Sequence, residues 1–223
     1  MLDRKTYKLM MKKYGGVGSW AVWCPQTDKD APKSNMGNME WAEDEGKLCF
    51  ELNPNFVFVG LNKSKRRNQS KSPEKDSDTK PAWKNFHSGT SHGNSFKIRY
   101  ALTGTPFWGA YMTDLIKQMP DDENAKKVVK AIETKSKDVV CRLKKNKALL
   151  ERNLKNFERE ISHLGGKPVL IALGDDVFDF LQLFNGKYKI LPLTHYSYTG
   201  INKEQYRDEV MKILRKYRRW AKK

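Results

Sequence analysis

The chain has few cysteines and no long apolar run, and each absence excludes a class of protein. Its 223 residues include only three cysteines, Cys24, Cys49 and Cys141, which are widely spaced and form no C-x-x-C pair. This spacing signals neither a zinc site nor an iron–sulfur cluster, and it indicates reduced cysteines in an intracellular compartment. No span suits a transmembrane helix, and no signal peptide or lipidation motif is present. We therefore expect a cytoplasmic, monomeric protein that has no membrane partner and needs no metal or organic cofactor.

Acidic residues are also few relative to basic ones. The chain has 43 Lys and Arg against 26 Asp and Glu, which gives a formal net charge of +17 at pH 7. Such an excess attracts polyanions through Coulomb forces and through the release of counterions. The composition favours nucleic acid as the partner, and a generically basic surface is the alternative.

The length suits a single domain over residues 1–223, with an irregular N-terminal segment 1–55 and a basic C-terminal helix 203–223. In the first segment, GGVGS (15–19) lacks the Lys-Ser/Thr of a phosphate loop and is interpreted as a turn, while SWAVWCP (19–25) predicts a short aromatic strand. Residues 63–80 contain almost no apolar side chains and predict a surface loop.

Strands alternate with helices in the rest of the chain. The expected strands are FVFVG (56–60), GAYMTDLI (109–116), KPVLIALG (167–174) and KYKILPL (187–193). The expected helices are SFKIRYALTG (95–104), a charged region at about 122–163, DDVFDFLQLF (175–184), whose N-terminus Asp175 or Asp176 would cap, and about 203–220. This alternation predicts an α/β fold of three layers, α/β/α, around a central sheet of four parallel strands.

Polar residues follow each of the four expected strands. Asn62 follows FVFVG, Asp114 follows GAYM, Asp175 follows VLIAL, and His195 follows ILPLT. Ligands of open α/β sheets bind beyond the carboxyl ends of the parallel strands, where loops splay apart. The sequence therefore predicts a site at this edge, although loops are polar in general.

Three short segments resemble the motifs of the uracil-DNA glycosylase superfamily. GLNKS (60–64) resembles the first motif, commonly G-I/M-N-P-G, and THYSYTG (194–200) is similar to the second motif, H-P-S. TDLIK (113–117) is similar to the segment in which related members carry an Asn that reads the base. The chain departs from these motifs at Lys63 and Ser64, which replace proline and glycine, and at Tyr196, which replaces the second proline.

The resemblance, which covers about residues 56–200, implies a DNA glycosylase of the same fold. We expect a role in DNA repair or in defence against phage DNA. In it Asn62 would position the attacking water, and His195 would stabilise the negative charge of the departing base. An Asn is too weakly basic to remove a proton outright, so activity would depend on a good leaving group or a destabilised base pair. The alternatives are that Asn62 bonds its own turn and that His195 makes a structural hydrogen bond.

Asp114 would occupy the base-reading position. A carboxylate only accepts hydrogen bonds, so it complements the N4 amino group of cytosine and repels O4 of uracil. An enzyme that excised ordinary cytosine would destroy its own genome, which points to a modified cytosine. The alternative is that Asp114 caps a following helix or pairs with Lys117.

The remaining candidates stack on the base or contact the DNA backbone. Trp83 or Phe86 would stack on the extruded base, with core packing as the alternative. Tyr196 or Tyr198 would wedge into the duplex. The candidate DNA-binding residues are Lys63, Ser64, Lys65, Arg66, Arg67, Tyr196, Ser197 and Tyr198. The C-terminal KILRKYRRWAKK (212–223) either clamps DNA or is a frayed helix end.

Two other functions remain open at this level. A catalytically silent DNA-binding protein of the same fold would explain the altered motif prolines. The other is a hydrolase of free nucleotides or nucleosides, which the high positive charge makes less attractive. The sequence does not distinguish single-stranded from double-stranded DNA.

Overall fold

A computed structural model describes residues 2–23, 51–62, 83, 85–87, 95–118, 130–131 and 135–221. The elements in chain order are α1 (Arg4–Tyr14), β1 (Ser19–Trp20), β2 (Asn53–Gly60), α2 (Ser95–Leu102), β3 (Ala110–Asp114), β4 (Lys117–Gln118), β5 (Lys130–Ala131), α3 (Ser136–Lys145), α4 (Lys147–Ser162), β6 (Val169–Leu173), α5 (Asp175–Gln182), β7 (Ile190–Leu193) and α6 (Lys203–Ala221). The expected α/β class is confirmed.

The main sheet has five strands in the order β1-β3-β2-β6-β7 and is mixed. Strands β3, β2, β6 and β7 run parallel, whereas β1 pairs antiparallel with β3. The prediction of a sheet made of four parallel strands was therefore wrong by one antiparallel edge strand. The aromatic segment that contains β1 was expected to be a strand. Its pairing with β3 depends on a contact between residues far apart in the chain, in which the rings of Trp20 and Tyr111 lie 5.0 Å apart.

The strands are apolar throughout because both faces of the sheet are covered. Val57 and Val59 of β2 contact one core cluster, to which α1, α3, α4 and α5 contribute. Phe56 and Phe58 point to the other face and pack with α2 and α6. Each such side chain contributes roughly 1.5–3 kcal/mol when fully buried. Two helical layers around one sheet are compatible with the expected three-layer arrangement.

The chain changes direction across the sheet at β2. From β2 it passes through α2 to β3 on one side, and then through α3 and α4 to β6 on the opposite side of β2. Strand β7 follows beyond β6 in that same direction. The topological switch point, where ligands of open α/β sheets bind, is therefore at the carboxyl ends of β2 and β6.

The N-terminal segment was expected to be irregular, but it contains helix α1. Asp3 caps this helix, because its Oδ1 accepts a hydrogen bond of 2.9 Å from the backbone N–H of Thr6. Tyr7, Met10 and Tyr14, at positions i, i+3 and i+7, are buried in the core. The helix is short and strongly charged, so its three inward positions are a weak signal in the sequence.

Two other local predictions are corrected. The helical region expected from about residue 122 includes β5, which pairs with β4, and its first described helix begins at Ser136. Neither Asp175 nor Asp176 caps α5, because the N-cap residue is Gly174 and makes no side-chain hydrogen bond. Gly174 has φ 97°, a left-handed conformation that glycine adopts without steric cost.

None of the helices that the structure describes combines the length and apolar character needed to cross a membrane. In the same residues, no group of three or more His, Cys, Asp and Glu side chains is arranged to hold a metal ion. Cys141 is a free, exposed thiol.

Candidate active site

Asn62 and His195 leave the same edge of the sheet. Asn62 lies two residues beyond the end of β2, and His195 lies two residues beyond the end of β7. Strand β6 separates the two, with Val59 paired to Ala172 and Leu173 paired to Leu193. Neighbouring strands are about 4.8 Å apart, so the two strand ends are separated by roughly 10 Å across the switch point.

Asn62 is buried at the end of an extended pairing. Only 7% of the surface of Asn62 is exposed. Beyond β2, the carbonyl oxygens of Gly60 and Leu61 accept hydrogen bonds of 2.7 and 2.9 Å from the N–H groups of Leu115 and Ile116. These two bonds hold the backbone that leads into Asn62 beside the chain that leaves β3. The amide is thus carried by a rigid part of the sheet edge.

His195 is held as a neutral imidazole with a defined tautomer. Its Nδ1 lies 3.2 Å from the backbone nitrogen of Ser197, which can only donate, and 2.6 Å from Ser197 Oγ. Nδ1 therefore accepts, and the ring proton is on Nε2. Burial lowers the pKa of His195 to about 4, so the ring is uncharged at neutral pH. The ring stacks on Tyr196 with centroids 4.5 Å apart.

A lysine from α2 anchors the loop that carries His195, the His195 loop (residues 194–202). The ammonium of Lys97 donates to the carbonyl oxygens of Tyr198 and Ile201, both at 2.7 Å. Lys97 is only 5% exposed, and burial lowers its pKa. Within the loop, the N–H of Tyr198 donates to the carbonyl of His195 at 2.9 Å. The side chains of Ser197 and Tyr198 are exposed, and that of Tyr196 is half-buried.

Four residues form the Asp114 corner (Gly60, Asn85, Phe86 and Asp114) on the other side of Asn62. Asp114 is the last residue of β3, pairs in register with Gly60, and is 5% exposed. Asn85 donates from Nδ2 to Asp114 Oδ2 at 3.1 Å and also to the carbonyl of Val17. The carboxylate of Asp114 is therefore oriented by an amide that the polar pattern of strand ends did not reveal.

Gly60 makes room for this corner. A Cβ atom at Gly60 would overlap Asp114 Oδ1 and would lie 3.3 Å from Phe86 Cε1. Phe86 itself has φ 64°, a left-handed conformation that costs a non-glycine residue on the order of 1–3 kcal/mol. The glycine of the GLNKS segment thus places a carboxylate oxygen and a half-buried aromatic ring together beside the end of β2.

The two aromatic candidates lie in different surroundings. Trp83 has no exposed surface, and its indole N–H donates to the hydroxyl of Tyr7 at 3.0 Å. Its ring centroid lies 5.8 Å from that of Trp20 and 6.3 Å from that of Tyr111. Core packing, the alternative given for this residue, describes its position. Phe86 is the aromatic candidate that lies at the edge of the sheet.

A buried ion pair lies beneath the Asp114 corner. Lys117 forms a salt bridge with Glu160, whose Oε1 accepts hydrogen bonds from the hydroxyl groups of Tyr111 at 2.8 Å and Thr113 at 2.7 Å. Lys117 also donates to Thr113 Oγ1 at 2.7 Å and to the backbone carbonyl of Asp114. Burial and the charge of Glu160 raise the pKa of Tyr111. The network supports the end of β3 from below.

The alternative roles of Asp114 were capping a following helix and pairing with Lys117, and the structure shows a different arrangement. The salt bridge of Lys117 is with Glu160. The chain after Asp114 stays extended and enters β4, so Asp114 does not begin a helix that it could cap. The sequence signal for the network is weak, because Glu160 occupies one position of a highly charged helix.

Five of the predicted DNA contacts, Lys63, Ser64, Lys65, Arg66 and Arg67, lie outside the described residues. No protein-family model, curated protein or solved structure matches the chain. The likeness to the uracil-DNA glycosylase superfamily therefore rests on the three motif segments alone.

Proposed function

We propose that the protein is a DNA glycosylase that hydrolyses the N-glycosidic bond of a base rotated out of the helix and leaves an abasic site. One observation carries the proposal: a neutral imidazole with its proton on Nε2 and a buried amide leave the same sheet edge at the switch point. The proposal includes a glycosylase-like three-layer fold, which four mutually parallel strands between two helical layers support.

The chemistry requires these two groups in different roles. The bond between C1′ of deoxyribose and the base nitrogen breaks, and its electron pair leaves with the base. His195 Nε2–H donates to a base oxygen and stabilises the developing anion, while Asn62 holds the water whose oxygen adds to C1′. The water supplies a hydroxyl group to the sugar and a proton to the departing base. A neutral His suits this role because its Nε2–H donates a hydrogen bond to the base oxygen while the ring itself is uncharged.

The Asp114 corner supports a base of the cytosine type. Asn85 donates to Oδ2 of Asp114, and the absence of a side chain at Gly60 lets Oδ1 lie against the end of β2. A carboxylate oxygen at this place accepts a hydrogen bond from an N4 amino group and repels O4 of uracil. Phe86 provides an aromatic ring beside it for stacking. Modified cytosine in foreign DNA is the substrate class that this corner and the safety of the host genome favour together.

The net charge of the chain and the His195 loop support DNA as the molecule that contains the substrate base. The net charge is +17. Lys63, Lys65, Arg66 and Arg67 follow the catalytic Asn62 in sequence, where phosphate contacts are needed. Tyr198 is 56% exposed beside His195 and is large enough to fill the space that an extruded base leaves.

The proposal is tested with oligonucleotides that contain uracil, cytosine, 5-hydroxymethylcytosine or glucosylated hydroxymethylcytosine at one position. Abasic sites are detected by strand cleavage after alkali treatment. We expect release of a modified cytosine. Release of uracil in preference to every cytosine would overturn the assignment of Asp114 but not that of Asn62 and His195.

Two substitutions separate catalysis from binding. Asn62→Ala and His195→Ala should each lower the rate of base release by at least about 100-fold while DNA affinity changes little, since both groups act on the reacting bond. An exposed-surface substitution, Lys155→Ala on α4, is the control. A wild-type protein that binds every duplex and releases no base would instead be a catalytically silent DNA-binding protein.

A further inference from the structure

The second half of α6 presents only positive charge to solvent. The acidic residues of the helix, Glu204, Asp208 and Glu209, all lie in its first half. From residue 212 onward the exposed charged side chains are Lys212, Arg215, Lys216, Arg218 and Arg219. Tyr206, Val210, Ile213 and Leu214 turn the opposite side of the helix toward the core. The basic side chains are thus held on a packed helix.

An indole ring lies among these cations. Trp220 is half-buried at the end of α6, with Lys216 Nζ 5.3 Å and Lys189 Nζ 5.7 Å from its ring centroid. Lys189 comes from a different part of the chain, directly before β7. Two ammonium groups from different parts of the chain therefore lie near the same indole ring.

This cluster lies at the edge of the sheet opposite to the candidate site. Helix α6 starts after the His195 loop and runs back along the sheet, and the ring of Tyr217 contacts that of Phe56 near the start of β2, with centroids 4.9 Å apart. Nineteen helical residues span about 28 Å. Lys189 and His195 lie at opposite ends of β7.

We propose that Lys189, Arg215, Lys216, Arg218, Arg219 and Trp220 form a second nucleic-acid-binding surface, the far-edge surface. The cations contact phosphates, and Trp220 stacks on a base or sugar. Because of its position, the far-edge surface holds a different segment of nucleic acid from the one at the candidate site. Bridging of two segments rests on the proposed binding of nucleic acid at the candidate site, but it does not require base release.

Charge and shape favour nucleic acid over an anionic membrane. Surface helices that bind lipid bury a broad apolar face in it. The large hydrophobic side chains that are most exposed in the described part of the chain are Leu9, Tyr100, Leu183 and Tyr198, and none of them belongs to α6. The apolar face of α6 is covered by the sheet.

The experiment compares two triple variants that remove the same charge. Lys216→Gln, Arg218→Gln and Arg219→Gln change the far-edge surface, and Lys137→Gln, Arg142→Gln and Lys145→Gln change exposed cations of α3. The probe is an undamaged 20-base-pair duplex, so that base release plays no part. The dissociation constant is measured against salt concentration, and bridging is measured as capture of a labelled duplex by protein bound to an immobilised one.

We expect the far-edge variant to lose bridging and to lower the slope of log K against log salt by up to about 3, since each phosphate contact contributes about 0.9. The α3 variant should keep bridging and most of the slope. Trp220→Ala should weaken binding of a single-stranded oligonucleotide about tenfold through loss of stacking. Thermal melting of the two triple variants should match the wild type.

Three results would overturn the proposal. Equal losses in the two triple variants would show a general effect of charge. Undiminished bridging in the far-edge variant would show that the second segment binds elsewhere. Loss of binding to phosphatidylserine vesicles, with the duplex data unchanged, would assign the surface to a membrane.

Discussion

The two sides of the candidate site are built differently. In the Asp114 corner, Gly60 and Asp114 are buried strand residues, whereas the other two residues are half-buried. The corner lies next to the buried ion pair of Lys117 and Glu160. The His195 loop is largely exposed, and Lys97 of α2 donates hydrogen bonds to two of its carbonyl groups. The corner is thus preorganised by the core, whereas the geometry of the loop depends on a few hydrogen bonds. In a glycosylase this would give a rigid base-reading side and a leaving-group side that adjusts when the base enters.

The strongest way to break this comparison is to remove the support beneath the corner. Glu160→Gln leaves the ammonium of Lys117 buried without its charged partner, which should lower the free energy of unfolding by about 3–5 kcal/mol. Urea denaturation measures the loss. Glu151→Gln removes an exposed partner of Lys147 and should cost less than about 0.5 kcal/mol.

A double variant shows whether the pair or the packing is responsible. Lys117→Met with Glu160→Leu replaces both charges by apolar groups, and it should recover much of the lost stability. A double variant as unstable as Glu160→Gln would mean that the hydrogen bonds of Tyr111 and Thr113, rather than the ion pair, hold the corner.

Lys97→Met tests how the His195 loop is anchored. Two hydrogen bonds from a charged donor are lost, so stability should fall by about 1.5–3 kcal/mol and base release by about 10- to 100-fold. If Lys97 only stabilised the fold, its replacement would leave the pKa of His195 unchanged. We therefore also expect the pKa of His195, measured by NMR, to rise from about 4 toward 6.5 as the loop opens. Lys155→Met on α4 is the matched control, and an unchanged pKa in Lys97→Met would contradict the anchoring role.

Gly60→Ala perturbs the corner directly. The added methyl group overlaps Asp114 Oδ1 and crowds Phe86, which should cost about 1–3 kcal/mol and displace the carboxylate. The ratio of rates for modified cytosine and uracil should fall, whereas the Asn62 and His195 chemistry is retained. Gly16→Ala, at a glycine with no atom within 4 Å of the added Cβ, is the control. Equal selectivity in both variants would argue against base reading by the corner.

The last prediction concerns the pH dependence of stability, which is small near neutral pH and grows as the pH falls. Burial lowers the pKa of His195 and of His87 to about 4, below the value of about 6.5 in the unfolded chain. The unfolded state therefore binds protons first, and stability should be full above about pH 6.5 and should fall as the pH drops toward 4. Denaturation at several pH values measures this slope. His195→Gln should reduce it, leaving the contribution of His87, and an unchanged slope would mean that His195 is not buried in solution.

Much of the main sheet followed from local pattern. The strands β2, β3, β6 and β7 are runs of apolar residues that end at glycine or polar residues, and the helices α2, α5 and α6 carry clear periodicity. Helix α1 was missed because its three core residues are embedded in charged sequence, and the antiparallel pairing of β1 was missed because its register depends on contacts far away in the chain.

The candidate site was predictable in part for the same reason. Asn62, Asp114 and His195 stand at strand ends, and parallel strands bring such residues to one edge. Asn85 and Lys97 had no such signal, because their roles come from contacts with Asp114 and with the carbonyl groups of the His195 loop. Trp83 and Phe86 are three positions apart, and only their contacts show that the first is a core residue.

The sequence by itself determined the α/β class, the excess of positive charge and the residues that follow each parallel strand. These properties depend on period, composition and position along the chain, which are local. Only the tertiary structure decided that β1 closes the sheet, that Asn85 orients Asp114, and that the cations of α6 lie at the edge opposite to His195. Those facts depend on which distant segments pack together, and packing is a property of the folded chain as a whole.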